Sequence, residues 1–260
     1  MDLTTTARVK AYTGVTTSTQ DALIGQLVTR ASGQIAKYCT RRFDRQTYSA
    51  LLNGNDGQRL FMPNTPVVAV SSLVIGNTTI SVSSDGIAAG YQFDTRMLYL
   101  FGAYRFYSGM RNVKVGYTVA FTATETDDIP SGTPTITPTT ADENDGAGWA
   151  NVDLGVVFTA TGVALTSVAS APAAGQYSFS GGTYTFNSSD ANKSVTMSYD
   201  YVPSAVEQAC IEMVALKLKQ KDNIGIQSKT LANETVVYTD RDMTKSVRGM
   251  LDPYNRRVPA

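Results

Sequence analysis

Hydrophobic residues change their spacing several times along this chain. Over residues 19–41, Ile24, Leu27, Val28, Ala31, Ile35 and Tyr38 recur every three to four positions and form one apolar stripe. The stripe predicts a helix from Thr19 to Arg41, capped by Ser18 or Thr19. Asp21 stands at the positive end of its dipole and Arg41 and Arg42 at the other. A shorter helix is predicted over Thr5–Tyr12. From Gln46 to Phe121 the period falls to two, and six short strands are expected: 48–52, 59–62, 66–75, 91–94, 97–100 and 112–120. Asn53-Gly54, Asp56-Gly57, Gly76-Asn77 and Asp85-Gly86 supply turns between them.

After residue 123 the pattern changes again. A Thr/Pro-rich stretch, Thr133 to Thr140, leads to the acidic turn Asp142-Glu143-Asn144-Asp145-Gly146. Further short strands are expected at 156–160, 176–180, 183–187 and 195–201, with Ser180-Gly181-Gly182-Thr183 as a hairpin turn. The acidic turn lacks the glycine position and closing acid of a calcium loop, so no metal is expected there. A marked helix then runs from Ser204 to Lys221, with Ser204 and Glu207 at capping-box spacing. Asp242 or Thr244 caps a last helix through Leu251, and Pro253 stops it. The tail Tyr254-Asn255-Arg256-Arg257-Val258-Pro259-Ala260 follows.

Composition narrows the chemistry. The 260 residues include no histidine and only two cysteines, Cys39 and Cys210. That excludes a Ser-His-Asp triad, a His-ligated metal and a disulfide framework. Cys39 lies beside the helical stripe and is expected to be a small packing residue. No phosphate-binding glycine loop occurs. Neither a secretory signal nor an apolar run long enough to span a bilayer is found, so a cytoplasmic product is expected. The aromatic run Tyr99, Phe101, Tyr104, Phe106 and Tyr107 is expected to be sheet core and edge rather than a base-stacking surface. Neither an enzymatic activity nor a cofactor is expected.

Charge locates a boundary. Lys+Arg and Asp+Glu are 22 each, so the formal net charge is zero. Residues 123–202 hold nine of the acids and one base, Lys193, a net −8, which leaves 21 bases and 13 acids, +8, on the rest. Removing 131–203 joins Ile129-Pro130 to Ser204, still a plausible strand, proline and helix start. The expected organisation is therefore a discontinuous body, 1–130 and 203–260, with 131–202 as an inserted β-domain.

With the insert set aside, the remaining sequence resembles the bacteriophage head–tail connector family, the head-completion adaptors. Three segments carry the likeness. The first is Asp2-Leu3-Thr4-Thr5 through Val9-Lys10-Ala11-Tyr12, with Asp21-Ala22-Leu23-Ile24 and Ile35-Ala36-Lys37-Tyr38-Cys39 before Arg41-Arg42-Phe43. The second is Val113-Lys114-Val115-Gly116-Tyr117, the Ile129-Pro130 link and Glu207-Gln208-Ala209-Cys210. The third is Ile224-Gly225-Ile226-Gln227-Ser228-Lys229-Thr230-Leu231, Glu234-Thr235-Val236 and Leu251-Asp252-Pro253-Tyr254. The insert departs from the family pattern.

The resemblance implies an α+β fold: a helical connector body with a small antiparallel sheet, plus the inserted all-β domain. It implies a virion protein of the neck, a homo-oligomeric ring of dodecameric type beneath the portal. Such a ring would extend the DNA channel without reading sequence, and would dock the next neck or tail protein. Tyr254, Asn255, Arg256, Arg257 and Val258 are the implied portal contact. Two guanidiniums beside an aromatic suit an acidic groove. The charge division further predicts that the acidic insert faces outward and the basic body faces the DNA. An alternative of another class is a carbohydrate- or receptor-binding module of the particle, using Trp149, Tyr177 and Tyr184 of the insert. A hydrolase on the neighbouring carboxylates Asp127 and Asp128 is a weaker alternative, since such a pair more commonly forms a solvated turn.

Overall fold

A computed structural model describes residues 1–139, 148–221, 228–231, 234–237 and 243–256. The acidic turn 142–146 therefore lies outside the described residues, as do Arg257 and Val258 of the tail. The chain forms two compact units: Met1–Arg41 with Ala123–Ala260, and Arg42–Thr122.

The first unit opens with helices α1 (Thr6–Thr13) and α2 (Asp21–Tyr38). Thr5 caps α1 through its hydroxyl, which accepts from the Arg8 amide. Neither Ser18 nor Thr19 caps α2. The Ser18 carbonyl accepts from the Asp21 amide, a turn that leaves Gln20 in the cap position with no side-chain bond. The apolar stripe is real: Ile24, Val28, Ala31 and Ile35 are buried.

The second unit is entirely β. Strands β1 (Gln46–Gly54), β2 (Arg59–Phe61), β3 (Val67–Ile75), β4 (Thr78–Thr79), β5 (Gly90–Phe93), β6 (Met97–Phe101) and β7 (Gly109–Val119) build two antiparallel sheets, ordered β1-β7-β3-β4 and β2-β6-β5. Alternation sends Leu73, Ile75, Val113, Val115 and Tyr117 inward, where they join Leu60, Leu98, Leu100 and Phe106 in one apolar cluster. Six of these seven strands follow the period-two reading within a few residues at each end.

The first unit resumes with β8 (Thr122–Asp128), β9 (Thr135–Ile136), β10 (Trp149–Phe158), β11 (Thr166–Ser167), β12 (Gln176–Ser180), β13 (Thr183–Phe186) and β14 (Ser194–Val202). They form sheets β10-β14-β8 and β11-β12-β13-β9. Ser180 pairs with Thr183, so Gly181 and Gly182, at φ 59° and 88°, make the two-residue hairpin that only glycine-like residues adopt easily. Strand β14 runs through Pro203 directly into α3 (Ser204–Gln220), which packs on α1 and α2. A two-stranded hairpin, β15 (Ser228–Leu231) and β16 (Glu234–Val237), and helix α4 (Lys245–Leu251) complete the unit.

The expectation of a helical connector body with a small sheet is wrong. Among the described residues strand makes up 38% and helix 25%, and the sheets outweigh the helices. The reason is the length of residues 42–122: two sheets with their own apolar core form a separate β unit rather than a decoration on helices.

Candidate functional site: the seat of the C-terminal tail

The tail is held where α2 ends. Helix α2 terminates in a Schellman-type turn: the Thr40 amide donates to the Lys37 carbonyl and the Arg41 amide to the Ala36 carbonyl, with Thr40 at φ 51°. The Cys39 carbonyl points away from the helix ladder and accepts the Arg256 amide at 3.0 Å. Arg41 donates a guanidinium N–H to the Tyr254 carbonyl at 3.4 Å. Tyr38 donates its hydroxyl to Asp252 Oδ1 at 2.7 Å. That bond raises the Tyr38 pKa, because ionising the phenol would set two anions side by side.

These contacts follow from α4. The Thr244 hydroxyl caps it by accepting the Val247 amide at 3.2 Å, as its sequence position suggested. Val247 and Leu251 are buried, and Pro253 converts the next turn, Asp252–Tyr254, to 3₁₀ geometry. Tyr254 is only 7% exposed, so its ring is the root of the tail inside its own subunit. Asn255 and Arg256 follow at half-buried positions. Arg41 and Arg248 bring positive charge to this seat and Asp252 a negative one.

Glu207 was missed as a pinning residue. Pro203 takes the cap position of α3, so Ser204 lies inside the helix and the capping box does not form. Glu207 instead is buried and accepts Arg8 Nε and, at 2.8 Å, Arg8 Nη2, while the Thr4 hydroxyl donates to it at 3.0 Å. The Leu3 amide donates to Ser32 Oγ, so residues 3–8 are strapped across α2 and α3. The only sequence signal was a carboxylate on an otherwise apolar helix face.

The other sequence candidates resolve simply. Tyr177 and Tyr184 are 2% and 0% exposed, and both donate their hydroxyls to Asp153, at 2.6 and 3.2 Å. They are core, and cannot offer a stacking platform to a sugar. Tyr199 is likewise buried, with its hydroxyl on Glu125. Cys39 is buried, and burial pushes its thiol up to about 11, as a packing residue should show. Asp127 and Asp128 are exposed at the end of β8. In the aromatic run Phe106 is core and Tyr107 is 56% exposed. Among the described residues no cluster of His, Cys, Asp and Glu could hold a metal ion, and no helix is long and apolar enough to cross a membrane.

The described residues thus place a buried tail root against the C-terminal end of α2. The family model described as "Head completion protein" matches residues 2–134, just over half of the chain, and the chain belongs to that family. No curated protein matches it. Among solved structures, a chain from the neck of an empty gene transfer agent particle with C6 symmetry is 11% identical, with 98% of this chain and 90% of that chain covered at a TM-score of 0.41. A chain of the virion of the native gene transfer agent particle is also 11% identical, with the same coverage and a TM-score of 0.40. A chain from the native neck with C12 symmetry is 17% identical over 44% of this chain and 62% of its own, at 0.30. At such scores none of the three establishes a shared fold.

Proposed function

We propose that this chain is a non-enzymatic structural protein of the virion neck, made in the host cytoplasm. Copies form a dodecameric adaptor ring that joins the portal at the capsid vertex to the next neck or tail protein and continues the DNA channel. Membership of the head completion family supports the structural role. The observation that carries the attachment is the seat of the tail. Tyr254 is buried and the Arg256 amide is bonded to the Cys39 carbonyl at the end of α2, so the residues after Arg256 start from a fixed point. A fixed exit reduces the ordering cost of binding. Arg256, Arg257 and Val258 then reach the portal, with Asn255 beside them and Tyr254 as their root. The basic body faces the DNA, and the acidic insert, 131–202, faces outward, because a like-charged wall repels the duplex. DNA passes without base readout.

The division into a body, 1–130 and 203–260, and an insert, 131–202, belongs to the same proposal. Strands β8 and β14 share a sheet, with the Ile129 amide on the Lys193 carbonyl and the Asn192 amide on the Ile129 carbonyl. Excision of 131–202 therefore leaves β8 without its neighbour, whereas excision of 123–202 removes the sheet whole. Comparing the two shortened chains by circular dichroism places the boundary.

The tail is tested by truncation after Arg256, which spares Asp252 and Tyr254, together with Arg256→Glu. Loss of portal attachment by a chain that still folds is the expected result. Attachment at the wild-type level would remove the tail from the contact. Negative-stain images of the protein with and without portal test the ring itself.

A further inference from the structure

Residues 104–111, the end of the β6–β7 loop together with the first three residues of β7, form an exposed segment that is unusually well fastened. Phe106 is fully buried at its centre, its carbonyl accepting the Asp56 amide at 2.7 Å and its amide donating to the Gly57 carbonyl at 2.8 Å. Asn112 donates to the Tyr107 carbonyl and accepts the Gly54 amide, and the Arg111 amide donates to Asn53 Oδ1. A Cβ at Gly54 would lie 1.8 Å from the Tyr107 carbonyl oxygen, so only glycine lets the loop lie this close to β1. Arg111 is held at φ 52°, an unfavourable backbone for a long side chain.

This fastening displays an unsatisfied surface. Met110 is 86% and Tyr107 56% exposed, and Leu51, 47% exposed, stands on β1 opposite Lys114. Arg105, Arg111 and Lys114 make no ion pair among the described residues. Single exposed apolar side chains are ordinary. An aromatic, a methionine and two arginines on one rigid loop are the residue types that dominate protein interfaces. Rigidity lowers the cost of using them.

The complementary charge is on the same chain. Residues 123–202 carry a net −8. Their strand β8 is an edge strand, and Asp127 and Asp128 at its end are exposed and make no ion pair among the described residues. We infer that the 104–111 loop of one copy docks on the acidic end of β8, at Asp127 and Asp128, in a second copy. Donor and acceptor are different patches, so the contact is head-to-tail and propagates around a ring. The inference deepens the ring reading and rests on it for the second copy.

Native mass spectrometry and sedimentation of the full chain at low and high salt, without and with portal, test it. The wild type is expected to form rings that salt weakens. R105E/R111E and D127K/D128K are each expected to sediment as monomers with unchanged far-ultraviolet circular dichroism melts, as is the surface variant M110D. Mixing R105E/R111E with D127K/D128K restores charge complementarity only between different chains, so rings should return in the mixture. Rings in the wild type and equally in both charge variants would overturn the docking and leave the ring reading standing. Failure of the mixture to reassemble would also overturn it. A wild type that stays monomeric under every condition, portal included, overturns both.

Discussion

The two compact units close in different ways. Among the described residues, unit 42–122 has one buried polar side chain, Ser83, against a continuous apolar cluster from Leu60 to Val119. The other unit buries Thr4, Ser32, Asp190, Asp200 and Glu207. Its polar groups also join distant segments: Thr4 and Glu207 are 203 positions apart. Apolar alternation builds a sheet from neighbours in sequence. A unit assembled from both ends of a chain lacks that local guide, and directional polar bonds fix its docking instead. Unsatisfied, the same groups would be costly, so these pins favour one arrangement over its alternatives.

The largest effect should come from the apolar unit. Leu73→Ala removes a side chain that is 0% exposed, at a cost of about 3 kcal/mol. Trp149, the chain's one tryptophan, lies in β10 of the other unit. Its fluorescence reports that unit, while far-ultraviolet circular dichroism reports both. Urea melts of Leu73→Ala should show an early dichroism step with an unmoved Trp149 midpoint. A single transition shifting equally in both signals would mean that the units unfold as one.

Arg8→Ala is the mirror experiment. It leaves the Glu207 carboxylate buried with the Thr4 hydroxyl alone. The cost should be about 2 kcal/mol, below that of a fully buried pair because 43% of the Arg8 side chain is exposed to screening solvent. Here the Trp149 midpoint should fall while an apolar-unit step persists. An unchanged melt would reduce the pair to a surface contact.

The same contrast explains what was legible beforehand. The strands of residues 42–122 and the hairpin at Gly181-Gly182 could be read because alternation and turn chemistry are local. The two-residue strands β4, β9 and β11 passed unread, since two residues carry no period. Glu207 was assigned to a cap because Ser204-x-x-Glu207 fits the capping-box spacing, yet an Arg8 partner nearly two hundred residues away leaves no mark in spacing. Tyr254 was read by type as a portal contact; its burial inside its own subunit, beside the turn at Thr40, left no mark in the sequence. Tyr177 and Tyr184 suggested a platform because composition does not say which face of a strand is covered.

Alkaline pH should separate the units less sharply. Burial pushes the Cys39 and Cys210 thiols up from the ordinary 9.0 to about 11 and about 12. Burial, then the neighbouring carboxylates Asp153 and Glu125, raises Tyr177, Tyr184 and Tyr199 further. All five lie in the unit that includes Trp149. The folded state holds these protons more tightly than the unfolded chain does. Their contribution is therefore complete below about pH 9 and is lost as pH rises through 9 to 12. In the other unit burial raises Tyr91, and a hydrogen bond to Asp94 raises the exposed Tyr99. The Trp149 midpoint should decline first, and Cys210→Ala should flatten that decline. A Trp149 midpoint flat to pH 11 would mean that these groups titrate as they do in water.

The smallest effects concern backbone strain, and they sort strain by purpose. Thr40 at φ 51° and Arg111 at φ 52° both hold a left-handed backbone that suits glycine. Relief of about 1–2 kcal/mol is offset by the extra freedom of glycine in the unfolded chain. Thr40→Gly and Arg111→Gly should therefore each stabilise their own unit by about 0.5 kcal/mol. Their consequences for assembly should differ. At Thr40 the left-handed turn exposes the Cys39 carbonyl to the Arg256 amide, and glycine preserves that turn, so the tail seat and ring formation should survive. At Arg111 the strained backbone presents a guanidinium to the proposed neighbour, and glycine keeps the loop but deletes the charge. Thermal melts paired with sedimentation would separate the two. If Arg111→Gly gained stability and lost no assembly, its strain would have no role in docking, and the loop's charge would rest on Arg105 and Lys114 alone.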